Sequence, residues 1–289
     1  MMPKKFGTHT QAVAGVIEAL LMVALVTIVI SVVQLYYIPQ VMEQREAEHM
    51  DQVFNQFSSM KSMIDMQTIT HSTSPISSMI TLGSPNLPYF VTAGATGELR
   101  TYEASSSNIE LNPALPIGSI PLTSIQYLAD NSYFVDQSYI LEGGGIIVKQ
   151  SDGTSVMRAD PSISAVNNSN NITIRLEIPH VIAIPGKNYT AGDGKCFIRT
   201  NYSSSKTYTD SIPVGSGGSH IRIYSRYINA WNESLFRIIG IYDKNGCLHI
   251  TQYGTEPTGY IEIQPGTKDI FLQLNVIDIQ VQIGPGWIK

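Results

Sequence analysis

From Ala19 to Ile38 the chain runs for twenty residues, ALLMVALVTIVISVVQLYYI, without one charged side chain. As a helix rising 1.5 Å per residue, that run is about 30 Å long, the thickness of the hydrocarbon core of a bilayer. It must therefore lie in lipid or be enclosed by other protein. Its polar interruptions are Thr27, Ser31 and Gln34; threonine and serine can return their hydroxyls to the preceding helical turn. Tyr36 and Tyr37 stand at its far end, where amphipathic rings favour the headgroup level. A cleaved secretory signal has an apolar core of only about 7–15 residues and then small residues at a cleavage site. Here the run is longer and flows through Tyr-Tyr-Ile-Pro into further helix-forming sequence.

Lys4 and Lys5 precede the run, whereas Glu43, Glu46 and Glu48 with a single Arg45 follow it. The lysine and arginine bias places the N-terminus inside and the bulk of the chain outside. The expectation is one pass through the cytoplasmic membrane, with the lipid bilayer as first partner. After Pro39, which should kink the helix rather than end it, comes VMEQREAEHMDQVFNQFSSMKSMIDM, free of Gly and Pro. Met50, Val53, Phe57, Met60 and Ile64 recur at intervals of three and four. Such a stripe packs either on the protein's own exterior domain or on copies of the same helix. Glu18, at the head of the apolar run, is costly in lipid unless it is neutral, reaches the interface or finds a partner. It either marks the entry to the membrane or pairs with the N-terminal amine of a neighbouring helix.

From about His71 the texture changes to short alternating or apolar runs, among them SYFVDQSYILE, NITIRLEI and FLQLNVIDIQVQI, separated by turn sequences such as SDG, KNG and PGT. Period-two patterning of this kind predicts antiparallel strands. In the last run Leu272, Leu274 and Val276 share one face while Ile277, Ile279, Val281 and Ile283 share the other. The phase switch predicts a bulge or a strand passing between two environments. SRYINAWNESLFRII keeps helical spacing at Ile228, Trp231, Leu235 and Ile238 behind Ser225 as a cap, which predicts one short helix. The fold class is thus α+β: a leader at 1–13, a transmembrane and extended helix at 14–66, and a mainly antiparallel, sandwich-like exterior domain at 67–289.

Cys196 and Cys247 both lie in the exterior half, where an oxidising compartment permits a disulfide between them. Sequons at Asn167, Asn171, Asn188 and Asn201 suit a glycosylated surface; a fifth, at Asn232, falls inside the expected helix. Charged residues make up 14% of the chain and the net charge is -5, so no clustered lysine and arginine surface awaits a nucleic acid. The six histidines show no HxH or HExxH spacing and neither cysteine has a CxxC partner. Ser219-His220 with Asp193 lacks a GxSxG elbow. Gly143, Gly144 and Gly145 read as a turn before a buried strand, not a nucleotide loop. Asp152-Gly153 and Asp193-Gly194 read as hairpin turns, not calcium loops. No cofactor, metal or catalytic residue is expected.

The stretch AVAGVIEALLMVALVTIVISVV, behind a short lysine-containing leader and ahead of a long helix, resembles the N-terminus of archaeal type IV pilin-like and archaellin-like proteins over residues 4–65. The resemblance implies a leader peptidase acting on the cytoplasmic side, with cleavage between Gly7 and Val13. It also implies a retained helix that anchors the protein or forms a filament core with partner subunits. Lys4-Lys5-Phe6-Gly7 stands where the family has a basic pair directly followed by glycine, and either Gln11 or Ala14 can be the first mature residue. With Ala14 first, Glu18 takes the fifth mature position, where bacterial-type pilins carry a glutamate that organises assembly. ITLGSPNLPYF, DQSYILEGGGIIVKQSDGTSVMRADPS and SRYINAW resemble an uncharacterised pilin-like membrane family of methanogenic archaea. The expected function is that of a non-enzymatic, pilin-like surface protein, with Glu18 and the Met50–Ile64 stripe as assembly candidates. An anchored ectodomain for a cell-surface glycan or small ligand, or an exported anchored enzyme, is the alternative.

Overall fold

The computed structural model describes residues 9–84, 94–111, 119–151, 153–215 and 220–284. The leader lies outside these residues except for its last few positions, as do Asp152 and Ser219. Helix α1 (His9–Val32) passes through a π-helical turn (Val33–Tyr37) into α2 (Ile38–Thr70) without a break. The widened turn has a cause in the sequence. Pro39 has no N–H to donate and its ring crowds the carbonyl four residues earlier; the Ile38 N–H meets the Val33 carbonyl instead, and the looser turn makes room. The helix therefore continues past Pro39, as its sequence predicts. Within α1, Thr27 Oγ1 donates to the Val23 carbonyl and Ser31 Oγ to the Thr27 carbonyl, both at 2.8 Å.

The strands then follow in chain order: β1 (Ile76–Thr81), β2 (Thr96–Glu110), β3 (Ser119–Asp130), β4 (Gln137–Glu142), β5 (Gly145–Gln150), β6 (Ser155–Ala159), β7 (Ser162–Asn167), β8 (Asn171–Ala183), β9 (Tyr189–Gly192), β10 (Lys195–Ile212) and β11 (Ile221–Tyr224). Helix α3 (Ile228–Lys244) leads to β12 (Leu248–Tyr253), β13 (Tyr260–Pro265) and β14 (Asp269–Ile283). One sheet has the order β1-β10-β14-β8-β7; the other runs β12-β13-β11-β2-β3-β4-β5-β6, with β9 also on β2. β14 and β8 are parallel and every other pair is antiparallel. The expected α+β class holds.

Two apolar cores form between and beneath these sheets, one closed by α3 and the other by α2. The phase switch in β14 is how a single strand serves both. Leu272, Leu274 and Val276 enter the α3 core, and Ile277, Ile279, Val281 and Ile283 enter the α2 core. The bulge is not in β14 but in its partner β10, between Tyr202 and Ser204. β3 divides in the same way, with Ile120 and Leu122 in the first core and Ile125 and Tyr127 in the second; β8 sends Ile172 to Ile178 to the first and Val181 to the second. At β4 the two cores lie on opposite faces of one strand, since Ile140 belongs to the first and its neighbours Tyr139 and Leu141 to the second.

The β4–β5 turn is the tight one the sequence suggests. Gly143 and Gly144 have φ of +55° and +82°, a left-handed pair suited to a two-residue hairpin. A Cβ at Gly143 would meet the Trp231 ring at 2.8 Å, so α3 and this turn close on each other only because the residue is glycine. Asp193-Gly194 is a corner rather than a hairpin turn, because it joins β9 and β10, which lie in different sheets. α3 is capped by Tyr227 with no side-chain hydrogen bond, not by Ser225. Ser225 Oγ instead accepts the Tyr227 N–H at 3.0 Å and donates to Glu142 at 2.6 Å.

Candidate functional site

The one continuous helix changes character at Ile38. On the α1 side every large apolar residue from Val16 to Leu35 except the half-buried Val33 is at least 50% exposed, and Leu35 reaches 70%. No domain covers this segment, and it is long and apolar enough to cross a membrane. On the α2 side Met50, Val53, Phe57, Met60 and Ile64 are 0–2% exposed and pack among Ile80, Leu99, Tyr127, Ile198 and Ile279. Burial of five such side chains is worth on the order of 10 kcal/mol before the opposing entropy. Of the two packings the spacing allows, the structure has the stripe on the protein's own strands. A neighbouring copy finds no surface at these five positions.

Polar side chains on the same face of α2 hold that seam in register. The Glu46 carboxylate is fully buried and accepts the backbone N–H groups of Ser132, Tyr133 and Phe134 at 3.1, 2.7 and 2.7 Å. Charge-assisted bonds to backbone N–H are among the stronger ones in proteins. Gln56 Oε1 accepts the Thr81 N–H at 2.9 Å while its Nε2 donates to Thr81 Oγ1 at 3.0 Å. Gln67, also fully buried, donates to the Thr200 and Ser74 carbonyls and accepts from Thr200 Oγ1. His49 lies beside the Tyr127 ring with Nε2 3.1 Å from the Thr81 carbonyl oxygen. Burial depresses its pKa, against the Thr81 hydrogen bond and the Glu46 charge. Sequence reading missed Glu46 and Gln67 as seam residues. Both extend the three-and-four spacing of the stripe by one step, Glu46 before Met50 and Gln67 after Ile64.

The other candidates fall as follows. Glu18 is exposed beside Ile17, Leu21 and Leu25 and has no partner in its own chain among the described residues. The cysteine pairing is overturned: Cys196 and Cys247 are both free and buried. Cys196 stands opposite Ile80 in the α2 core, and Cys247 follows α3 in the other core. Burial pushes the Cys196 thiol up, away from the reactive thiolate. Among the sequons, Asn167 and Asn188 are exposed while Asn171 and Asn201 are half-buried. Asn201 Nδ2, the atom that would carry a sugar, donates to Gln280 at 3.4 Å. The Asn232 Oδ1 is buried in α3 without a partner.

Two arrangements, one at the surface and one buried, have a look of chemistry. Asp278 accepts from Ser204 Oγ at 2.5 Å and meets His180 Nδ1 at 2.9 Å, so the carboxylate stands between serine and imidazole. A hydrolytic relay needs the imidazole next to the hydroxyl, and this order cannot pass the serine proton to the histidine. Glu142 is the other. It accepts from Ser225 Oγ and Trp231 Nε1 at 2.6 and 2.9 Å, and burial lifts its pKa to about 7 against those bonds and the charge of Arg226. Enclosed beneath α3, it serves the packing of Trp231. Among the described residues no three His, Cys, Asp or Glu side chains gather to hold a metal. Comparison with protein-family models, with curated proteins and with solved structures finds no match.

Proposed function

We propose that this chain is a membrane-anchored, non-enzymatic surface protein of pilin-like build, whose exterior domain stands on a helix sealed into it. The observation that carries the reading is the division of one helix at Ile38, with an apolar segment exposed all round on one side and a fully enclosed stripe on the other. The first half has the length and composition of a membrane span. The second half, about 50 Å from Tyr37 to Thr70 at 1.5 Å per residue, fixes the height and tilt of the domain relative to the first. With the stripe enclosed, helix-to-helix contacts with other pilin-like subunits fall chiefly to α1, with Glu18 at its head. That geometry suits short or mixed assemblies, and a long homopolymer is not part of the proposal.

Extraction of native membranes tests the anchor. The chain stays with the pellet in alkaline carbonate and moves to the supernatant only with detergent, and protease added to intact cells removes the domain. Intact-mass measurement tests the pilin build in the same preparation, through loss of a leader ending between Gly7 and Val13. Release by carbonate would end the anchor reading, and retention of residues 1–13 would leave an ordinary signal anchor.

A further inference from the structure

We propose that a cleft between α2 and the β4–β5–β6 edge of the larger sheet binds a saccharide. The cleft encloses about 340 Å³, at the lower end of the range of roughly 300–1,000 Å³ typical of small-ligand sites, with room for a mono- or disaccharide. Its walls carry opposite charges that do not meet. Asp51 projects from α2 and Arg158 from β6, yet no ion pair joins them and neither has another charged partner within 4 Å among the described residues. Both charges act on the Tyr139 hydroxyl, Asp51 raising its pKa and Arg158 lowering it beneath the larger effect of burial. They therefore face the same floor from two sides.

Between them stand groups with unused hydrogen-bonding capacity. Gln150 and Thr154 line the cleft, are exposed, and spend neither amide nor hydroxyl on a partner among the described residues. A wall with one carboxylate and one guanidinium has no net charge to neutralise, so it does not call for an ionic ligand. Carboxylate, amide, hydroxyl and guanidinium together offer the mixed donors and acceptors that a ring of hydroxyl groups requires. The apolar component is present as well. The Phe54 ring is half-buried at the cleft, tilted against Tyr139 at 5.9 Å and covered by the Arg158 guanidinium at 5.5 Å. With its face taken by Arg158, the ring gives the C–H groups of a sugar an apolar edge.

Asp51 lies fourteen residues beyond Tyr37, about 21 Å along the helix. Free surface polysaccharide reaches that height at any tilt of the helix, whereas a glycolipid headgroup reaches it only where the helix leans toward the bilayer. The cleft itself is built from the domain and α2 without α1, so free-saccharide binding is independent of the anchor reading and only the glycolipid arm rests on it.

The test uses the full chain in phosphatidylcholine nanodiscs and saturation-transfer NMR with maltose, cellobiose, lactose and N,N′-diacetylchitobiose, with diglycine as a zwitterionic comparison. A parallel arm places a digalactosyl lipid in the nanodisc. At least one saccharide should bind. Asp51→Ala and Gln150→Ala, both at exposed positions, should each weaken binding by about threefold and together by about tenfold, or roughly 1.4 kcal/mol. Tyr253→Ala, on β12, should leave it unchanged. Binding to the lipid alone assigns the sugar to the membrane, and binding to a free disaccharide assigns it to polysaccharide. Failure of every saccharide and of the glycolipid, binding of diglycine alone, or undiminished binding in the double variant with native circular dichroism would overturn the proposal.

Discussion

The core under α3 and the core under α2 share strands, β3, β4, β8 and β14 among them, but are closed in different ways. α3 is a local insertion between β11 and β12, and it seals its core with apolar bulk: Trp231, Leu235 and Ile239 on one face, with a single carboxyl, Glu142, enclosed beneath the tryptophan. α2 continues the exposed apolar helix α1 and meets strands from distant parts of the chain. It adds polar clamps to the backbone at Glu46, Gln56 and Gln67. α3 has backbone clamps as well, but at its C-terminal end: Tyr242 donates to the Ala165 carbonyl at 3.2 Å and Asp243 accepts the Ile250 N–H at 3.0 Å. Those of α2 are spread from Glu46 to Gln67, which fixes the helix in register along most of its length and suits the proposed role of a rigid link between a membrane anchor and a domain.

The largest expected effect tests whether the cores are separate. Trp231→Ala should cost about 4 kcal/mol in chemical denaturation, and hydrogen exchange should show lost protection in α3 while α2 stays protected. Phe57→Ala should cost a similar amount with the pattern reversed. Loss of protection in both helices from either variant would merge the two cores into one.

Next comes pH, because the cores hold titratable groups of opposite kind. Glu142 titrates near 7 in the fold against an ordinary 4.5. A raised carboxyl pKa contributes stability that is complete below 4.5, falls as pH rises toward 7 and is absent above it, in all roughly 3 kcal/mol. Glu142→Gln keeps an acceptor for Ser225 and Trp231 and should remove this fall, so that the variant is the more stable protein at pH 8. His49 works the other way. Its depressed pKa gives stability that is full above 6.5 and lost as pH falls through the folded value, and His49→Gln should flatten that acid branch alone. Denaturation midpoints measured from pH 4 to 8 check both.

A smaller loss is expected at the clamp. Glu46→Ala leaves the N–H groups of Ser132, Tyr133 and Phe134 without their acceptor and should cost about 2 kcal/mol, with faster exchange confined to those amides. The smallest effect concerns the cysteines. Non-reducing peptide mapping should recover Cys196 and Cys247 as separate thiols, and a reductant should change the unfolding free energy by no more than about 0.5 kcal/mol.

What the sequence disclosed follows the same division. The uncharged run, the Met50–Ile64 stripe, the strand alternation and the phase switch at Val276–Ile277 are periodic signals, and periodicity survives without knowledge of tertiary contacts. The α3 helix was legible for the same reason, although Ile239 rather than Ile238 takes the fully buried place. Glu46, His49 and Gln67 were not legible, since a polar residue on an apolar face gives no sign of the backbone group awaiting it. Nor was the cleft, whose walls come from residues 51–54, 137–139, 148–150 and 154–158. The cysteine pairing failed because shared compartment says nothing of shared core.

The central claim is that α2 is sealed into its own domain, and thiol crosslinking at Phe57 in native membranes addresses it most directly. A cysteine placed there should resist a membrane-impermeant maleimide and give only monomer, while Asn55→Cys, exposed on the same helix, labels freely. A ladder of homo-oligomers from the Phe57 position, together with regular filaments containing this chain in sheared surface material, would contradict the account.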